Sequence, residues 1–336
     1  MPPAHLDVRR AVRDDLSDAP SGATVMVACS GGPDSMALAA AVAWVGPRLG
    51  LRAAGVTVDH GLQQGSAARA RMVAATMTEL GFDQVESVHV DGGSGVDGPE
   101  GNARAARYRA LTAAADRVAA HAVLLGHTLD DQAETVLLGL ARGSGARSLA
   151  GMPRRSGRYR RPLLGLRRVR VRAAVPDGVT VWDDPHNADP AFARSRVRSR
   201  VLPVLETELG PGVTEALGRT ADLLRADADA LEAQAAAALR ESMVVEAAPP
   251  ERVGSGPDPN QGYDVDRLAR LPAAVRLRVL RLAAIAAGSR PSDLTAAHVL
   301  AVDALVTDWR GQAGIDVPGG RRAVRRNGVL MFASPR

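Results

Sequence analysis

The chain has 336 residues, which is enough for two domains with buried cores. Apolar residues make up 46% of it and charged residues 24%, as in most globular proteins. No apolar run approaches the ~20 residues of a membrane-spanning helix, and the first residues show no secretion signal. We therefore expect a cytoplasmic protein with no membrane partner.

Cysteine and lysine usage excludes several classes of site. Cys29 is the only cysteine, so neither an intrachain disulfide nor a cysteine-based zinc site can form. The chain contains no lysine, and all 42 of its basic residues are arginine. A kinase-type phosphate loop, which must end in Gly-Lys-Ser or Gly-Lys-Thr, is therefore excluded as well.

Arginines are concentrated in three clusters. Nine of them lie between Arg154 and Arg172 without any acid, and further groups lie at 194–200 and 321–326. Arginine binds phosphate groups through its charge and through bidentate hydrogen bonds. A single cluster is equally consistent with a solvated basic surface, but three of them beside a nucleotide site favour a nucleic-acid substrate.

The first part of the chain alternates between strand and helix patterns. The predicted elements are helices at 6–16, 35–45, 66–80, 102–118 and 130–142, and strands at 24–29, 53–58, 84–90 and 122–125. This alternation predicts an α/β fold with a doubly wound, mostly parallel sheet covered on both faces. Ligands of such folds bind at the carboxyl ends of the strands.

The regular alternation stops after residue 143. We predict an edge strand at 179–182, a helix within 190–205, a long helix or helix pair at 213–242, and helices at 265–287 and 292–307. Short strands follow at 315–317, 322–326 and 329–332, with Asn327-Gly328 as a hairpin turn. These patterns divide the chain into a catalytic domain (1–212), a linking helix region (213–245) and a smaller, mainly helical C-terminal domain (246–336) that ends in a small β-meander.

The most informative stretch joins the first predicted strand to the next helix. It consists of Ser30, Gly31, Gly32, Pro33, Asp34 and Ser35. The glycines let bare backbone approach a ligand, and proline fits the first helical turn. A strand, a glycine turn and a helix N-terminus together suit a phosphate chain, although an ordinary strand-to-helix turn has similar parts.

A second informative stretch, residues 126–135, begins at the end of another predicted strand. Thr128 can cap the helix that follows, with Asp131 in a capping-box relation. Asp130, Asp131 and Glu134 can share one side of that helix. Acids in a first helical turn are common for dipole reasons alone, but three carboxylates can also hold Mg²⁺ or a substrate ammonium group.

These motifs resemble those of the N-type ATP pyrophosphatases, and within them the tRNA(Ile)-lysidine synthases. The matching positions are 30–35, 58–62, 100, 104, 107–111, 126–135, 140–145, 151–152, 161–164, 184–187, 192, 194, 198, 201–203 and 316–320. The resemblance implies the adenine nucleotide alpha hydrolase-like (PP-loop) form of the predicted sheet. Thr128 and Ser195 depart from residues common in the family, and the chain resembles the short form that lacks the last C-terminal domain.

The resemblance implies a reaction that uses ATP, Mg²⁺ and free L-lysine. The C2 oxygen of the wobble cytidine in the CAU-anticodon isoleucine tRNA attacks the α-phosphate of ATP. The ε-amine of lysine then displaces AMP and leaves lysidine, which changes codon reading from AUG to AUA. The C-terminal domain is then expected to bind tRNA, and a homodimer is a candidate assembly.

The resemblance also assigns roles to residues of this chain. The catalytic candidates are Asp34, Arg107, Asp130, Asp131 and Glu134. The nucleotide-binding candidates are Ser30, Gly31, Gly32, Pro33, Asp34, Ser35, His60 and His127, although either histidine can equally be structural. The Mg²⁺ candidates are Asp34 and Asp131, and the tRNA-binding candidates are Arg142, Arg161, Arg194 and Arg198.

Three alternative functions are weaker. A tRNA thiolase typically uses a cysteine pair or an iron–sulfur cluster, whereas this chain has only Cys29. An amidotransferase would need a glutaminase domain, and no stretch resembles one. A nucleotide-dependent RNA-binding protein without catalysis would keep the glycine loop and the arginines but would have no need of the carboxylate group at 130–134.

Overall fold

The computed structural model describes residues 3–59, 61, 65–90, 98–143, 145–184, 189–245 and 261–333. The chain divides into two compact units, Met1–Arg225 and Ala226–Arg336. The division falls within one long helix, so the predicted boundaries at 212 and 245 stay a prediction. No helix among the described residues combines the length and the apolar character needed to cross a membrane.

The first unit is built on a sheet with the strand order β3-β2-β1-β4-β6-β5 among the described residues. Its strands are β1 (Thr24–Ala28), β2 (Arg52–Asp59), β3 (Gln84–His89), β4 (Ala120–Leu125), β5 (Arg155–Ser156) and β6 (Tyr159–Arg160). All neighbouring strands pair in parallel except β5 and β6, which form an antiparallel hairpin at the edge. The predicted mostly parallel sheet is therefore confirmed.

Helices cover both faces of this sheet. They include α1 (Ala4–Asp15), α2 (Pro33–Val45), α3 (Ser66–Glu79) and α4 (Gly98–Arg117). The first unit also contains α5 (Leu129–Ala141), α6 (Ala146–Leu149), α7 (Arg168–Arg172), α8 (Ala193–Arg196), α9 (Leu202–Glu208) and the first part of α10 (Val213–Ser242). Val25 and Val27 of β1 join a core with α1, α2 and α3, whereas Met26 joins the core formed with α4. Side chains of a strand alternate between faces, so one strand supplies both cores.

The strand order reverses between β1 and β4. The chain runs outward from β1 to β2 and β3, and then returns to add β4 on the other side of β1. At such a switch point the loops after the two central strands diverge and leave a crevice. The crevice lies beside residues 30–35 after β1 and residues 126–128 after β4, which is where the sequence predicts ligand binding.

The second unit combines helices with an antiparallel sheet. It contains α11 (Val265–Arg270), α12 (Ala273–Ala286) and α13 (Ala296–Thr307). Its strands are β7 (Met243–Val245), β8 (Gln261–Asp264), β9 (Ile315–Val317), β10 (Arg321–Arg326) and β11 (Val329–Ala333), in the order β7-β8-β11-β10-β9. Asn327 and Gly328 both have positive φ, as the predicted hairpin turn between β10 and β11 requires.

Two details of the predicted secondary structure are wrong. The single helix predicted at 265–287 is divided into α11 and α12, because Pro272 ends the first helical segment and starts the second. The edge strand predicted at 179–182 does not form; the β5–β6 hairpin occupies the sheet edge instead. The amide of Trp182 donates to the carbonyl of Gly31 (2.9 Å), so this segment lies against the loop after β1.

The N-terminus of α10 provides a stability test. The Glu206 carboxylate accepts hydrogen bonds from the amides of Gly212 (2.8 Å) and Thr214 (3.0 Å) and from the Thr214 hydroxyl (2.6 Å). The Thr214 hydroxyl and the helix amides lower the pKa of Glu206 to about 2. We expect Glu206→Ala to lower the free energy of unfolding at neutral pH by about 1–2 kcal/mol.

This contribution depends on pH with a defined sign. Because the pKa of Glu206 is lower in the folded protein, the stabilisation is complete above about pH 4.5 and is lost as the pH falls toward 2. Thermal unfolding of wild type, Glu206→Ala and the exposed-site control Glu208→Ala at several pH values measures the effect. An equal loss in both variants, or a pH-independent loss, would contradict the prediction.

Candidate active site

The loop after β1 is held closed by Ser35. Its hydroxyl donates to the carbonyl of Gly32 (2.8 Å) and accepts a hydrogen bond from the amide of Ser30 (3.2 Å). Gly32 is the N-cap of α2 and Pro33 occupies its first turn. These bonds shape the turn and leave the first amides of α2 oriented as an anion-binding helix N-terminus.

Two glycines let the backbone pack where no side chain would fit. Gly31 has a φ of +84°, and a Cβ there would lie 2.6 Å from Cγ2 of Val73. A Cβ at Gly126, at the end of β4, would lie 3.1 Å from Cα of Ser35. Gly31 therefore lets the loop after β1 pack against α3, and Gly126 lets the end of β4 pack against the backbone at the start of α2.

Asp34 is the acid within the phosphate loop, and one of its oxygens accepts no hydrogen bond from the described residues. Its Oδ2 lies 3.4 Å from Nε of Arg168, while Oδ1 is buried and accepts no hydrogen bond from the described residues. Burial raises the pKa of Asp34 to about 6, and the Arg168 charge only partly opposes this rise. An orphaned carboxylate oxygen at a phosphate site is a suitable ligand for a hard cation.

The carboxylate oxygens of Asp131 and Glu134, on α5, all have partners within the protein. Oδ2 of Asp131 accepts from the amide and the hydroxyl of Thr128 (both 2.8 Å), which completes the predicted capping box. The Glu134 side chain is 0% exposed, so its charge must be balanced by buried partners. Burial alone would raise the pKa of Asp131, but Arg168 and the Thr128 hydrogen bonds hold it below its ordinary value.

Three arginines supply those partners, and one of them, Arg168, carries no motif in the sequence that predicts its role. Arg168 lies 2.7 Å from Oδ1 of Asp131 and 3.2 Å from Oε1 of Glu134. Arg198 contacts Oε1 of Glu134 (2.7 Å) and Oδ1 of Asp131 (3.3 Å). Arg194 lies 3.5 Å from Oε2 of Glu134. Every oxygen of Asp131 and Glu134 thus has at least one donor or arginine nearby.

Asp130 points away from this cluster. Its Oδ2 accepts from the backbone amide of Arg168 (2.6 Å), and its Oδ1 lies 3.5 Å from Nε of Arg167. Oδ1 therefore takes part in an ion pair without a hydrogen bond. The sequence predicted that Asp130, Asp131 and Glu134 share one side of α5. In the structure, every carboxylate oxygen of Asp131 and Glu134 has a partner, whereas Oδ1 of Asp130 can still accept a hydrogen bond.

Arg107 and Arg161 form a basic group near Tyr108, and His127 interacts electrostatically with both arginines. The guanidinium groups of Arg104 and Arg107 lie 5.0 and 5.7 Å from the Tyr108 ring, and Nη2 of Arg161 lies 3.4 Å from its hydroxyl. Burial lowers the pKa of Arg107 and lowers that of His127 to about 3, so His127 is neutral at pH 7. Nε of Arg107 and Nε of Arg161 are buried without hydrogen-bond partners.

The other predicted residues lie in different environments. Arg142 is exposed at the end of α5, whereas Arg161 is buried with 5% exposure. Arg194 and Arg198 are partly buried and face Glu134. His60 lies outside the described residues.

The described residues contain no group of three His, Cys, Asp or Glu side chains that could form a complete metal site by themselves. Mg²⁺ nevertheless needs only one or two carboxylates when nucleotide phosphates and water complete its coordination. The orphaned Oδ1 of Asp34 fits such a metal. Asp131, the second predicted ligand, would have to exchange a Thr128 or arginine contact to reach it.

Comparison with protein families gives two matches. Residues 6–205 match the family described as the PP-loop domain, and residues 264–331 match the TilS substrate binding domain. The first match alone covers more than half of the chain.

Similar proteins include a tRNA(Ile)-lysidine synthase of Thermobifida fusca, which is 58% identical over 99% of this chain and 98% of its own length. Another, from Streptomyces coelicolor, is 54% identical over 93% of this chain and 86% of its own length. Among solved structures, the U34-tRNA thiolase of Methanococcus maripaludis with its [4Fe-4S] cluster aligns with a TM-score of 0.55 at 20% identity. That alignment covers 66% of this chain and 80% of the thiolase, and it supports the fold alone.

The Gly31 geometry gives a testable prediction. Gly31→Ala should lower the free energy of unfolding by about 2–4 kcal/mol, because alanine combines an unfavourable positive φ with a clash against Val73. Gly65→Ala is the matched control, since Gly65 also has positive φ (+79°) but open space around it. Urea denaturation should show a loss of only about 1 kcal/mol for the control. Equal losses would mean that the close packing is unimportant.

We expect the ionised Asp34 side chain to lower the free energy of unfolding at neutral pH. Its raised pKa means that the folded protein binds the proton more tightly than the unfolded chain, so the free energy of unfolding falls as the pH rises from about 4 to about 6 and stays lower above that. In metal-free buffer we expect Asp34→Asn to raise the free energy of unfolding at neutral pH by about 1–3 kcal/mol. The difference should disappear below about pH 4.

Chemical denaturation of wild type and Asp34→Asn across this pH range, with the exposed-site variant Asp14→Asn as control, measures the effect. A destabilised Asp34→Asn protein at neutral pH would show that Arg168 compensates the buried charge completely.

Proposed function

The chain belongs to the tRNA(Ile)-lysidine synthase family, and we propose that it joins L-lysine to C2 of the wobble cytidine in the CAU-anticodon isoleucine tRNA. The reaction consumes ATP, passes through an adenylated cytidine, and releases pyrophosphate and AMP. The lysidine product pairs with A rather than G, so the tRNA reads AUA instead of AUG. The enzyme is a C–N bond-forming ligase.

The observation that carries this proposal is the phosphate loop at the switch point of the sheet. The loop places the amides of a helix N-terminus and the Asp34 carboxylate in the crevice between β1 and β4. Such a site can bind the triphosphate and orient its α-phosphate. The match to both family domains, together with relatives at 58% and 54% identity, extends this reading beyond ATP binding.

In the first half-reaction, the cytidine C2 oxygen attacks the α-phosphate and pyrophosphate leaves. We assign the phosphate cradle to Ser30, Gly31, Gly32, Pro33 and Ser35. Asp34 would hold Mg²⁺ through its orphaned Oδ1. The bound Mg²⁺ would neutralise charge on the phosphates.

Arg107 and Arg161 have buried Nε groups without partners, so they are suited to the negative charge that develops at the reacting phosphate. We assign Arg107 to this contact. His127 is buried and neutral, so it can line the nucleotide pocket without adding charge. His60, for which the structure describes no position, keeps its proposed nucleotide role from sequence resemblance only.

In the second half-reaction, the ε-amine of lysine attacks C2 of the adenylated cytidine and AMP leaves. The amine must lose a proton to become a nucleophile, and a carboxylate is a suitable acceptor. Asp130, Asp131 and Glu134 were the sequence candidates for this role. Oδ1 of Asp130 takes part in an ion pair but accepts no hydrogen bond from the described residues. We therefore assign Asp130 as the acid that accepts the proton of the amine.

Asp131 and Glu134 act indirectly, because they position the arginines with which they form ion pairs. Removing either carboxylate would leave Arg168 and Arg198 partly unpaired inside the protein. We assign these two acids to positioning Arg168, Arg198 and Arg194 beside the phosphate site. Asp131 can additionally support Mg²⁺ if it exchanges one of its present contacts.

The tRNA contacts are assigned from charge and exposure. Exposed Arg142 is suited to a phosphate of the tRNA backbone, and Arg194 and Arg198 reach the surface beside Glu134. Arg161 is buried, so it could contact only a nucleotide that enters the crevice. We also propose that residues 246–336 bind tRNA, that the enzyme forms a homodimer, and that it works in the cytoplasm, where its tRNA, ATP and lysine are found.

Sulfur transfer is a poorer assignment despite the shared fold. One similar solved structure is a thiolase with its [4Fe-4S] cluster. This chain has a single cysteine, Cys29, which is buried at the end of β1. It therefore has neither a cysteine pair nor enough cysteines to hold such a cluster.

The proposed reaction is tested directly by incubating the protein with ATP, Mg²⁺, labelled lysine and the CAU-anticodon isoleucine tRNA. We expect stoichiometric label in this tRNA and background label in a methionine tRNA with the same anticodon. Asp34→Ala should release no pyrophosphate while binding the tRNA with an affinity within a few fold of wild type. No label in the isoleucine tRNA would refute the function, and equal label in both tRNAs would refute the specificity.

A further inference from the structure

A short segment after α7 lies against the phosphate loop, within the first unit. The amide of Trp182 donates to the carbonyl of Gly31 (2.9 Å), and a Cβ at Gly32 would lie 3.7 Å from the carbonyl oxygen of Trp182. The backbone of the segment therefore runs beside both glycines of the loop. We call residues 181–184 the strap.

The hydrogen bond between Trp182 and Gly31 fixes a second group. The carbonyl of Gly31 and the amide of Gly32 belong to one peptide unit, which is planar and trans, so its C=O and its N–H point in opposite directions. Trp182 therefore holds the Gly32 N–H pointing away from the strap. This N–H makes no hydrogen bond with the described residues, so it is available to a ligand.

The next peptide unit of the loop is fixed by local partners. The carbonyl of Gly32 accepts from the hydroxyl of Ser35 (2.8 Å) and from the amide of Met36 (3.0 Å), both on α2. The donor to the carbonyl of Gly31, in contrast, comes from a distant part of the chain. The orientation of the Gly32 amide thus depends on where the strap lies.

The Trp182 side chain anchors the strap to α3. The guanidinium carbon of Arg69 lies 3.5 Å from the centroid of the Trp182 ring, which is a close cation–π contact. Arg69 and Val73 are four residues apart on α3, so they lie on one face of that helix. A Cβ at Gly31 would lie 2.6 Å from Cγ2 of Val73. One face of α3 therefore supports both the strap and the loop.

An ion pair further along the strap is weaker. Nη2 of Arg172 lies 3.0 Å from Oδ1 of Asp183, but these side chains are 47% and 69% exposed, so the pair adds little stability. Loss of the Trp182 ring should therefore loosen the strap.

We propose that Trp182 and Arg69 are positioning residues for ATP. Arg69 holds the Trp182 ring, the backbone of Trp182 holds the carbonyl of Gly31, and the Gly32 amide is thereby oriented for the phosphate chain before ATP binds. A donor that is already oriented loses less conformational freedom on binding, so the complex is tighter. The inference rests on the proposed function, because it requires that the loop binds ATP.

The competing role for Arg69 is a direct contact with a phosphate of the nucleotide. A guanidinium group that stacks on a ring keeps its N–H donors in its own plane, and arginine binds phosphate well. The two roles predict different results when both residues are changed. A direct phosphate contact would persist without Trp182, whereas a positioning effect would be lost with the ring.

Titration calorimetry of the full-length protein with ATP and Mg²⁺ measures the effect directly. Trp182→Ala should raise the Kd for ATP about 10-fold to 30-fold, and Arg69→Ala should raise it about 3-fold to 10-fold, as expected for loss of a cation–π contact and of the order that it maintains. Trp182→Phe keeps an aromatic face for Arg69 and should stay within about 3-fold of wild type. Wild-type affinity in both alanine variants would refute the proposal.

The double variant distinguishes positioning from direct contact. Arg69→Ala/Trp182→Ala should bind ATP within about 2-fold of Trp182→Ala alone, because Arg69 acts through a ring that is then absent. If the double variant is weaker by the whole factor seen for Arg69→Ala, the two residues act independently. Arg69 would then bind the nucleotide itself, and the proposal would be wrong.

A second tryptophan–arginine contact provides a matched control. The guanidinium carbon of Arg48 lies 3.7 Å from the centroid of the Trp44 ring, at the C-terminal end of α2. Ten helical residues separate Trp44 from Asp34, which corresponds to about 15 Å along the helix axis. Trp44→Ala and Arg48→Ala should therefore leave the Kd for ATP within about 2-fold of wild type. Equal losses of ATP affinity at the two tryptophans would show a general effect on the fold and would contradict a role of the strap.

Kinetics provides a second readout and separates this inference from the proposed function. In the lysine-joining reaction, Trp182→Ala should raise the KM for ATP by about the same factor as its Kd and leave the KM for lysine within about 2-fold. An equal rise in both KM values would overturn the proposal. A wild-type protein that binds ATP but joins no lysine to tRNA would refute the proposed function, and the ATP titrations would still decide the role of the strap.

Discussion

The ion-pair network around Arg168 is the interaction on which the site depends. A single guanidinium group contacts Asp34 after the phosphate loop and both Asp131 and Glu134 on α5. The Glu134 side chain has no exposure, and an unpaired carboxylate there would cost several kcal/mol. This requirement holds the start of α2, the start of α5 and the start of α7 at fixed distances around one crevice.

The network also determines which oxygens remain available for chemistry. Asp131 and Glu134 are used by Thr128, Arg168, Arg194 and Arg198. The acceptors left over around it are Oδ1 of Asp34 and Oδ1 of Asp130. On the proposed function, the first oxygen binds a metal ion and the second accepts the proton of the reacting amine, so the two tasks fall to separate carboxylates.

The sequence predicted the local structure well where it depends on neighbours along the chain. The hydrophobic runs and helix signals located β1 to β4 and α1 to α5 within a few residues, and Asn327-Gly328 predicted its hairpin. The edge strand at 179–182 was wrong because tertiary contacts use that backbone differently: Trp182 donates to Gly31. The β5–β6 hairpin was missed because each of its strands has only two residues, too few to show a period.

By itself, the sequence determined the fold class, the phosphate loop, the helix cap at Thr128 and the family, because these follow from short motifs and local backbone preferences. Only the tertiary structure decided which acids keep a free oxygen. Asp130, Asp131 and Glu134 look equivalent in the sequence, yet their partners come from Arg167 and Arg168 and, for two of them, from Arg198. Glu215 lies 81 positions beyond Glu134, yet its Oε1 accepts a hydrogen bond from Arg167, the same arginine that pairs with Asp130. Charge pairing acts through space, and no spacing along the chain reports it.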